Sequence, residues 1–185
     1  MTSRAQGFAL LETPLGVSGI AWSDAGICRF QLPESSVEAT RARMVRRTGA
    51  VESEPLPSVG AIIERVRAAM SGIRTDLSDI AVDLEGVGPF NLKIYELLRQ
   101  VGWGETVTYG ELAARAGDKQ AAQAVGQAMG SNPVPVIIPC HRVLAANAKP
   151  GGFSAPGGIN TKQRLLELEG VGMASKTPLL PGLFN

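Results

Sequence analysis

The sequence contains few cysteine, histidine and aromatic residues. The low cysteine and histidine counts exclude two classes of protein. Among 185 residues there are two cysteines and one histidine, and aromatic residues make up 5%. Two cysteines cannot build a disulfide framework, and two cysteines with one histidine cannot supply the four ligands of a structural zinc site. We therefore expect two free thiols, at Cys28 and Cys140, and neither a metal nor another cofactor.

Long apolar runs and targeting segments are also missing. No apolar stretch reaches the length that spans a bilayer, and the first residues show neither a basic segment with a long apolar core nor a small-residue cleavage site. A composition of 44% apolar and 19% charged residues is ordinary for a globular chain. These features predict a cytoplasmic protein that does not associate with a membrane.

A strong excess of charge is absent as well, although the two halves differ. Residues 1–85 hold nine Lys/Arg against eleven Asp/Glu, a net −2, whereas residues 86–185 hold nine against six, a net +3. A polyanion should therefore prefer the second half, although the excess is too small for binding through charge alone. One basic cluster is interpreted as a solvated helix face: Arg41, Arg43, Arg46 and Arg47.

The first half has the pattern of a small sheet with helices. The segment FALLETPLGVSGIAWSDAGICRFQLPE alternates short apolar runs with turn residues, which predicts two or three antiparallel strands in a meander. Two helices are predicted next, in SSVEATRARMVRR and SVGAIIERVRAAMSG, each with a serine as N-cap. DIAVDLEGVGP predicts one more strand before a Gly-Pro linker near residues 86–89. The expected fold is α+β, with a supporting domain over residues 1–86 and a second domain over residues 87–185.

The second half has helical periodicity. One apolar stripe predicts a helix that stops at GWGE: Phe90, Ile94, Leu97, Leu98 and Val101. Thr108 and Glu111 form a capping box for the next helix, Gly117 ends it, and Asp118 is expected to cap a third helix, KQAAQAVGQAMGS. Two short helices joined by a tight turn are typical of a helix-turn-helix, although a packed structural hairpin gives the same pattern.

The third of these helices has two different faces. Three of its residues are expected to face inward: Ala122, Val125 and Met129. The opposite face is polar and uncharged and carries three glutamines: Gln120, Gln123 and Gln127. Glutamines can hydrogen-bond bases or phosphates, but without charge they release no counterions. Small residues would let the backbone approach a groove or another helix closely: Ala121, Ala124 and Gly126.

The segment VIIPCHRVL places the single histidine directly after a cysteine. A nucleophilic thiol must ionise, so a base has to lie close to Cys140. In an extended segment His141 would point away from the sulfur, unless the chain turns at Pro139 or a water bridges the two groups. Taken alone, each residue is more simply interpreted as structural, the cysteine as a small buried hydrophobe.

A carboxylate that could orient the imidazole is present in the last predicted helix, NTKQRLLELEG. Glu169 falls on the same face as Leu165 and Leu166, so it should be buried and need a partner, whereas Glu167 should be solvated. Together with Cys140 and His141 it describes a constellation in which the base takes the thiol proton and the acid holds the imidazolium. Hydrolase, transferase and redox chemistry all stay open at this point.

The same segments resemble a known family. NPVPVIIPCHRVL, preceded by GETVTYGELAARAG and followed by GGFSAPGG and KQRLLELEG, is similar to the O6-alkylguanine-DNA alkyltransferases, closely over residues 88–171 and more loosely before them. The resemblance implies a ribonuclease H-like first domain and a winged-helix-like second domain with the helix-turn-helix. It further implies a monomer that transfers an alkyl group from O6-alkylguanine, or O4-alkylthymine, in double-stranded DNA to its own cysteine, once per molecule.

The resemblance also implies roles for individual residues. Cys140 matches the alkyl acceptor, His141 the water-linked base and Glu169 the acid that holds this base. Asn132 matches the asparagine between the recognition helix and the active-site loop. Tyr109 matches the phenol that hydrogen-bonds the guanine as negative charge develops on the leaving base.

A second set is expected to contact DNA or the extruded base: Ala122, Gln123, Ala124, Gly126, Met129, Arg142, Val143 and Ser154. In this set Val143 offers its carbonyl and Ser154 its amide, while Arg142 is interpreted as structural. Gln123 stands where the family has the arginine that takes the place of the extruded base, so weaker base flipping and weaker duplex affinity are expected.

Other departures concern the pocket and keep two alternative functions open. Gly130 fills a place where a basic residue is common, Phe153 replaces a tyrosine, and the Ala-Pro pair in SAPGG lengthens the active-site loop by about two residues. One alternative is a lesion-binding module without transfer, against which Cys140 argues. The other is alkyl transfer from free nucleobases or another non-duplex substrate, which Gln123 keeps in view.

Overall fold

The structure, a computed structural model, describes residues 5–146 and 149–172 and has the expected α+β architecture. Three antiparallel strands form a meander in the order β1-β2-β3: Gly7–Thr13, Gly16–Ser23 and Gly26–Gln31. Ile20 pairs with Phe30 in this sheet, so the meander predicted from the apolar runs is confirmed. Gly26, with φ +138°, begins β3 so close to residue 81 that a Cβ would lie 2.4 Å from the Ala81 carbonyl oxygen.

Two helices cover this sheet. Helix α1 (Val37–Thr48) packs on β2 and β3, and helix α2 (Pro57–Met70) packs on β1. Ser36 caps α1 as predicted, with its hydroxyl accepting an N–H of the first turn. The predicted serine cap of α2 is wrong. This helix starts one residue before Ser58, at a proline whose fixed φ and missing N–H suit the first helical position.

The strand predicted in DIAVDLEGVGP does not form in the part of the chain that the structure describes. Val82 makes a single isolated parallel bridge with Ile27 of β3. The following residues turn at once, with the Val87 N–H donating to the Leu84 carbonyl at 3.0 Å. The prediction was wrong because the turn ends the pairing before a ladder can extend.

In the described residues, the second half contains four α-helices, a 3₁₀ turn at Cys140–Arg142 and two very short strands. In chain order they are α3 (Pro89–Arg99), β4 (Val107–Thr108), α4 (Tyr109–Arg115), α5 (Ala122–Gly130), β5 (Val143–Leu144) and α6 (Gly158–Leu168). The capping box of Thr108 and Glu111 is confirmed at the start of α4. Helix α5 begins later than predicted, because Asp118 accepts the Gln120 N–H at 2.9 Å in a turn and does not cap the helix. Helices α4 and α5 pack against each other across this turn, as in a helix-turn-helix.

One apolar core runs through both halves. It includes buried residues of the sheet, of α2 and of the helices of the second half, for example Ile20, Phe30, Val66, Ile94 and Leu165. The backbone N–H of Phe30 also donates to the Pro133 carbonyl at 3.0 Å, so β3 supports the segment that leads to Cys140. Among the described residues, no helix is long and apolar enough to cross a membrane.

Candidate active site

Asn132 shapes the loop that leads from α5 to Cys140. Its side-chain amide donates to the Ile138 carbonyl at 2.9 Å, and its side-chain oxygen accepts the Val134 N–H at 3.0 Å. Between these anchors Val136 has φ +74°, a left-handed conformation that a β-branched residue adopts only when its surroundings impose it. The loop geometry is therefore held by tertiary contacts.

The chain turns at the cysteine. Cys140–Arg142 form a single 3₁₀ turn, in which the Val143 N–H donates to the Cys140 carbonyl and the Arg142 N–H donates to the Pro139 carbonyl at 2.9 Å. The extended geometry that would separate the imidazole from the sulfur is thus not adopted. Both Cys140 and His141 are buried, with 4% and 1% of their surface exposed.

A buried carboxylate joins the histidine and the arginine of this turn. Glu169 lies at the C-cap of α6 with 6% of its side chain exposed. Its Oε1 lies 2.8 Å from His141 Nε2, and Arg142 donates to both of its oxygens at 2.9 Å. Arg142 also donates to the Val101 carbonyl at 2.5 Å, so it ties the pair to the end of α3.

These contacts define the protonation of the imidazole. Burial raises the pKa of Glu169, but the hydrogen bonds and charges of His141 and Arg142 outweigh burial and bring this pKa to about 2. An ionised carboxylate only accepts, so we place the imidazole proton on Nε2. Burial lowers the pKa of His141, so the ring is neutral near neutral pH. Its buried Nδ1 has no hydrogen-bond partner among the described residues and keeps its lone pair for a proton.

The Cys140 thiol is protonated at rest. Burial raises its pKa, while a hydrogen bond from Asn132 and the charge of Lys162 lower it without cancelling the effect of burial. Since only the thiolate is a strong nucleophile, reaction at this sulfur requires a base such as His141 to remove the proton.

Lys162 is a residue of the site that sequence reasoning missed. Its side chain is fully buried, and its ammonium donates to the Val143 carbonyl at 2.5 Å and to the Gly152 carbonyl at 3.4 Å. It also lies 5.7 Å from the centre of the Tyr109 ring. Burial lowers the pKa of Lys162 to about 8, against the effect of Cys140. A signal existed, because this lysine lies on the apolar stripe of α6, three residues before Leu165.

Two side chains hold the loop that follows β5 near Cys140. The Tyr109 hydroxyl donates to the Gly152 carbonyl at 3.4 Å, and the Ser154 hydroxyl donates to the Gly130 carbonyl at 3.3 Å. Gly151 has φ +67°, and a Cβ at this position would lie 3.1 Å from a ring atom of Tyr109. The loop therefore passes close to the phenol at the start of α4.

A cavity of about 110 Å³ adjoins Cys140. Its lining includes predicted site residues: Met129, Asn132, Cys140 and Ser154. Three arginines of the first half also line it, which the sequence did not predict: Arg29, Arg43 and Arg47. A larger cavity of about 630 Å³ lies behind the site, next to Arg142 and Pro139, but the thiol is not part of its lining.

The remaining predicted residues lie on or near the outer side of α5. The three glutamines are exposed as predicted, and Val125 and Met129 are buried. Ala122, expected to face inward, is only half-buried because it is the first residue of the helix, and two small residues are also half-buried: Ala124 and Gly126. The Val143 carbonyl, expected to face a base, accepts a hydrogen bond from Lys162.

Fold and site together define a class of protein, in which a buried thiol with an imidazole and a carboxylate adjoins a helix-turn-helix. A family model described as 6-O-methylguanine DNA methyltransferase, DNA binding domain, matches residues 89–171. A methylated-DNA–protein-cysteine methyltransferase of Mycolicibacterium paratuberculosis is 35% identical over 162 residues, which cover 88% of this chain and 91% of the relative. The chain belongs to this methyltransferase family.

Solved structures agree with this assignment. The structure of the Mycobacterium tuberculosis OGT in complex with DNA has a TM-score of 0.71 and 33% identity, and the match covers 88% of this chain and 92% of the other. The O6-methylguanine-DNA methyltransferase of Pyrococcus kodakaraensis has a TM-score of 0.70 and 27% identity, over 89% and 99% of the two chains.

Proposed function

We propose that the protein repairs DNA by moving an alkyl group from O6-alkylguanine to Cys140, as a methylated-DNA–protein-cysteine S-methyltransferase that reacts once. The observation that carries this proposal is the buried thiol beside a neutral imidazole, held by a buried carboxylate, in a cavity next to the helix-turn-helix. Relatives that bear this enzyme's name over most of the chain support it. A lesion-binding protein without transfer is not favoured, since such a protein needs no acceptor cysteine.

The proposed reaction balances without a cofactor. His141 Nδ1 takes the thiol proton of Cys140 through a bridging water, and Glu169 stabilises the resulting imidazolium. The thiolate attacks the alkyl carbon in line with the carbon–O6 bond, so that a sulfur–carbon bond forms as the carbon–oxygen bond breaks. The guanine leaves with the electron pair and takes up a proton. The product is a thioether, which explains a single turnover.

We assign Tyr109 to the leaving group and Asn132 to positioning the thiol. Burial raises the pKa of the Tyr109 phenol, and the charge of Cys140 raises it further, so the hydroxyl keeps its proton and can donate to the guanine. Its present hydrogen bond to the Gly152 carbonyl is long and can be exchanged for one to an incoming base. Ser154, which lines the Cys140 cavity, would offer its backbone amide to the base.

The attack requires the guanine to leave the base stack, since the alkyl carbon is out of reach inside a duplex. In this proposal α5 enters the minor groove, where Ala122, Ala124 and Gly126 permit close approach and Gln123 lies at the gap. The first half (residues 1–86) would be a ribonuclease H-like support, and the second (residues 87–185) a winged-helix-like domain that binds DNA. We propose that one chain is sufficient.

Intact-mass measurement tests this function directly. The protein is incubated with a duplex that contains O6-methylguanine, and one methyl group should be gained per molecule and be found on the peptide that contains Cys140. A duplex with O4-methylthymine tests the second lesion in the same way. Repeated lesion removal by protein that stays unmodified would contradict the proposal.

Alkyl transfer from a non-duplex substrate is a second candidate, because Gln123 is exposed and uncharged where an arginine would stack. Competition between methylated duplex and free O6-benzylguanine separates the two substrates. Gln123→Arg should raise the rate on the duplex and leave the rate on the free base unchanged. An unchanged or lower duplex rate would show that this position does not limit base extrusion.

A further inference from the structure

Three arginines form one wall of the Cys140 cavity, and the proposed reaction uses none of them. Arg29 lies on β3, and Arg43 and Arg47 lie one turn apart on α1. We call these three residues the arginine cluster. Because the same cavity is lined by Cys140 and Ser154, the cluster borders the acceptor thiol from the first half of the chain.

The cluster concentrates positive charge. The pKa of Arg29 is lowered by burial and then by the charges of Arg47 and Arg43, and the group that opposes this lowering is Cys28, not a carboxylate. Arg43 Nε lies 3.7 Å from an oxygen of Glu34, which offsets part of the charge of Arg43. Arg43 and Arg47, which line the same cavity, therefore lie close enough to Arg29 for their charges to act on its guanidinium.

Acidic groups do not balance the cluster on its cavity side. Among the described residues, the lining of the Cys140 cavity contains no Asp or Glu. Asp83 and Glu85 line a neighbouring cleft on another side of Arg29 and Arg47. The Nε atom of Arg29 is buried and has no hydrogen-bond partner in the described part of the chain, and that of Arg43 has only its ion pair with Glu34 there. Converging cations with unused donors are the arrangement that binds an anion.

We propose that the arginine cluster binds a backbone phosphate next to the extruded nucleotide. The planar guanidinium group matches phosphate oxygens in a bidentate geometry, and a nucleotide whose base enters the Cys140 cavity carries its phosphates at the cavity mouth. This inference rests on the proposed function and adds a DNA contact in the first half, whose net charge of −2 gave no indication of one.

The contact would compensate for a weak recognition helix. Helix α5 carries no basic side chain, and Gln123 cannot stack as an arginine does. A phosphate reaches the cluster only when its nucleotide has rotated toward Cys140, so the contact stabilises the extruded state. The cluster should therefore matter for DNA and not for a free alkylated base, which has no phosphate.

The test compares Arg47→Gln with Arg46→Gln in the full chain. Both arginines are exposed on α1, but only Arg47 lines the cavity. We expect Arg47→Gln to lower the rate constant for an O6-methylguanine duplex about tenfold. The slope of the logarithm of this rate constant against the logarithm of the salt concentration should become shallower by about 0.9, the value for one phosphate contact. Arg46→Gln should change that rate less than about twofold, and neither variant should change the rate with free O6-benzylguanine.

Equal losses in the two variants, or an equal loss with free O6-benzylguanine, would overturn the phosphate site. A neutral methylphosphonate beside the lesion gives an independent test. It should slow the unmodified protein about tenfold and should have no further effect on Arg47→Gln. Persistent sensitivity in that variant would place the phosphate elsewhere. If Cys140 of the protein without substitutions gains an alkyl group from neither substrate, the proposed function itself is wrong. That outcome is distinct from the outcomes that overturn the phosphate site.

Discussion

The regions around the two cysteines differ more in their polar neighbours than in their burial. Cys28 lies half-buried on β3, whereas Cys140 is buried in the turn before β5. Burial raises the pKa of both thiols, and at Cys28 burial and the charge of Asp83 together bring the pKa to about 11. At Cys140 a hydrogen bond from Asn132 and the charge of Lys162 act in the opposite direction.

This difference shows that burial alone does not mark a nucleophile. A thiol in a folded core stays protonated unless a neighbouring group takes its proton and a positive charge favours the thiolate. Cys140 has both, in His141 Nδ1 and in Lys162. At Cys28 the charge of Arg29 also lowers the pKa, but the chain's single histidine lies far from this cysteine in sequence. In the proposed mechanism the thiol on the sheet stays protonated, whereas the loop around Cys140 supplies a base and a positive charge.

The largest expected effect comes from exchanging each sulfur for oxygen. Cys140→Ser should abolish alkyl transfer. A neutral imidazole does not ionise a serine hydroxyl for attack on an alkyl carbon, because the hydroxyl is a much weaker acid than the thiol. Cys28→Ser should react like the unmodified protein. Lesion removal by the Cys140 variant, measured on an O6-methylguanine duplex, would show that the thiol of Cys140 is not the nucleophile.

Glu169→Gln should have the next largest effect. It removes the charge that holds His141 and leaves the buried guanidinium of Arg142 without its counter-ion. We expect the single-turnover rate to fall by about 10² or more and the free energy of unfolding to fall by about 3–5 kcal/mol. Glu167→Gln, on the exposed side of α6, is the matched control and should change neither measurement.

Lys162→Met should change how the rate of alkyl transfer depends on pH. The positive charge lowers the Cys140 pKa, so its removal should raise that pKa and leave less thiolate at a given pH. The rate with free O6-benzylguanine should therefore reach half its maximum at higher pH. The exposed Lys93→Met serves as control. A uniform loss of rate without a shift in the profile would mean that Lys162 only supports the loop.

The smallest expected effect is a loss of folding stability at acidic pH. The pKa of Glu169 is about 2 in the folded protein and about 4.5 ordinarily. A lowered folded-state pKa contributes stability that is fully present above pH 4.5 and is lost as the pH falls toward 2. The difference in unfolding free energy between unmodified protein and Glu169→Gln should shrink over this window. A difference that stays constant from pH 6 to pH 2.5, measured by urea unfolding, would show that the carboxylate is not held as its contacts indicate.

The elements that depend on neighbouring residues were predictable. The three-stranded meander, the Ser36 cap and the capping box of Thr108 and Glu111 follow from side chains a few residues apart. The errors fall where two local structures compete. Asp118 can form a turn or cap a helix with the same oxygen, and its surroundings select the turn.

The site was predictable as far as sequence neighbours and helical spacing reach. Cys140 and His141 are adjacent, and Glu169 was placed by its position on the apolar stripe of α6. Lys162 lies on the same stripe and carried the same signal. Arg29 carried none, because it is far from Cys140 in the chain and meets the cavity only where β3 supports Pro133.

The amino-acid sequence by itself determined which groups are reactive and which local structures hold them: a thiol beside an imidazole, a carboxylate on an apolar face, and two short helices joined by a turn. Only the tertiary structure decided the protonation of these groups and which residues surround them, including the buried lysine and the arginine cluster. The reason is physical: hydrogen-bonded caps and turns act over a few residues, whereas desolvation and charge act through space on whatever the fold brings together.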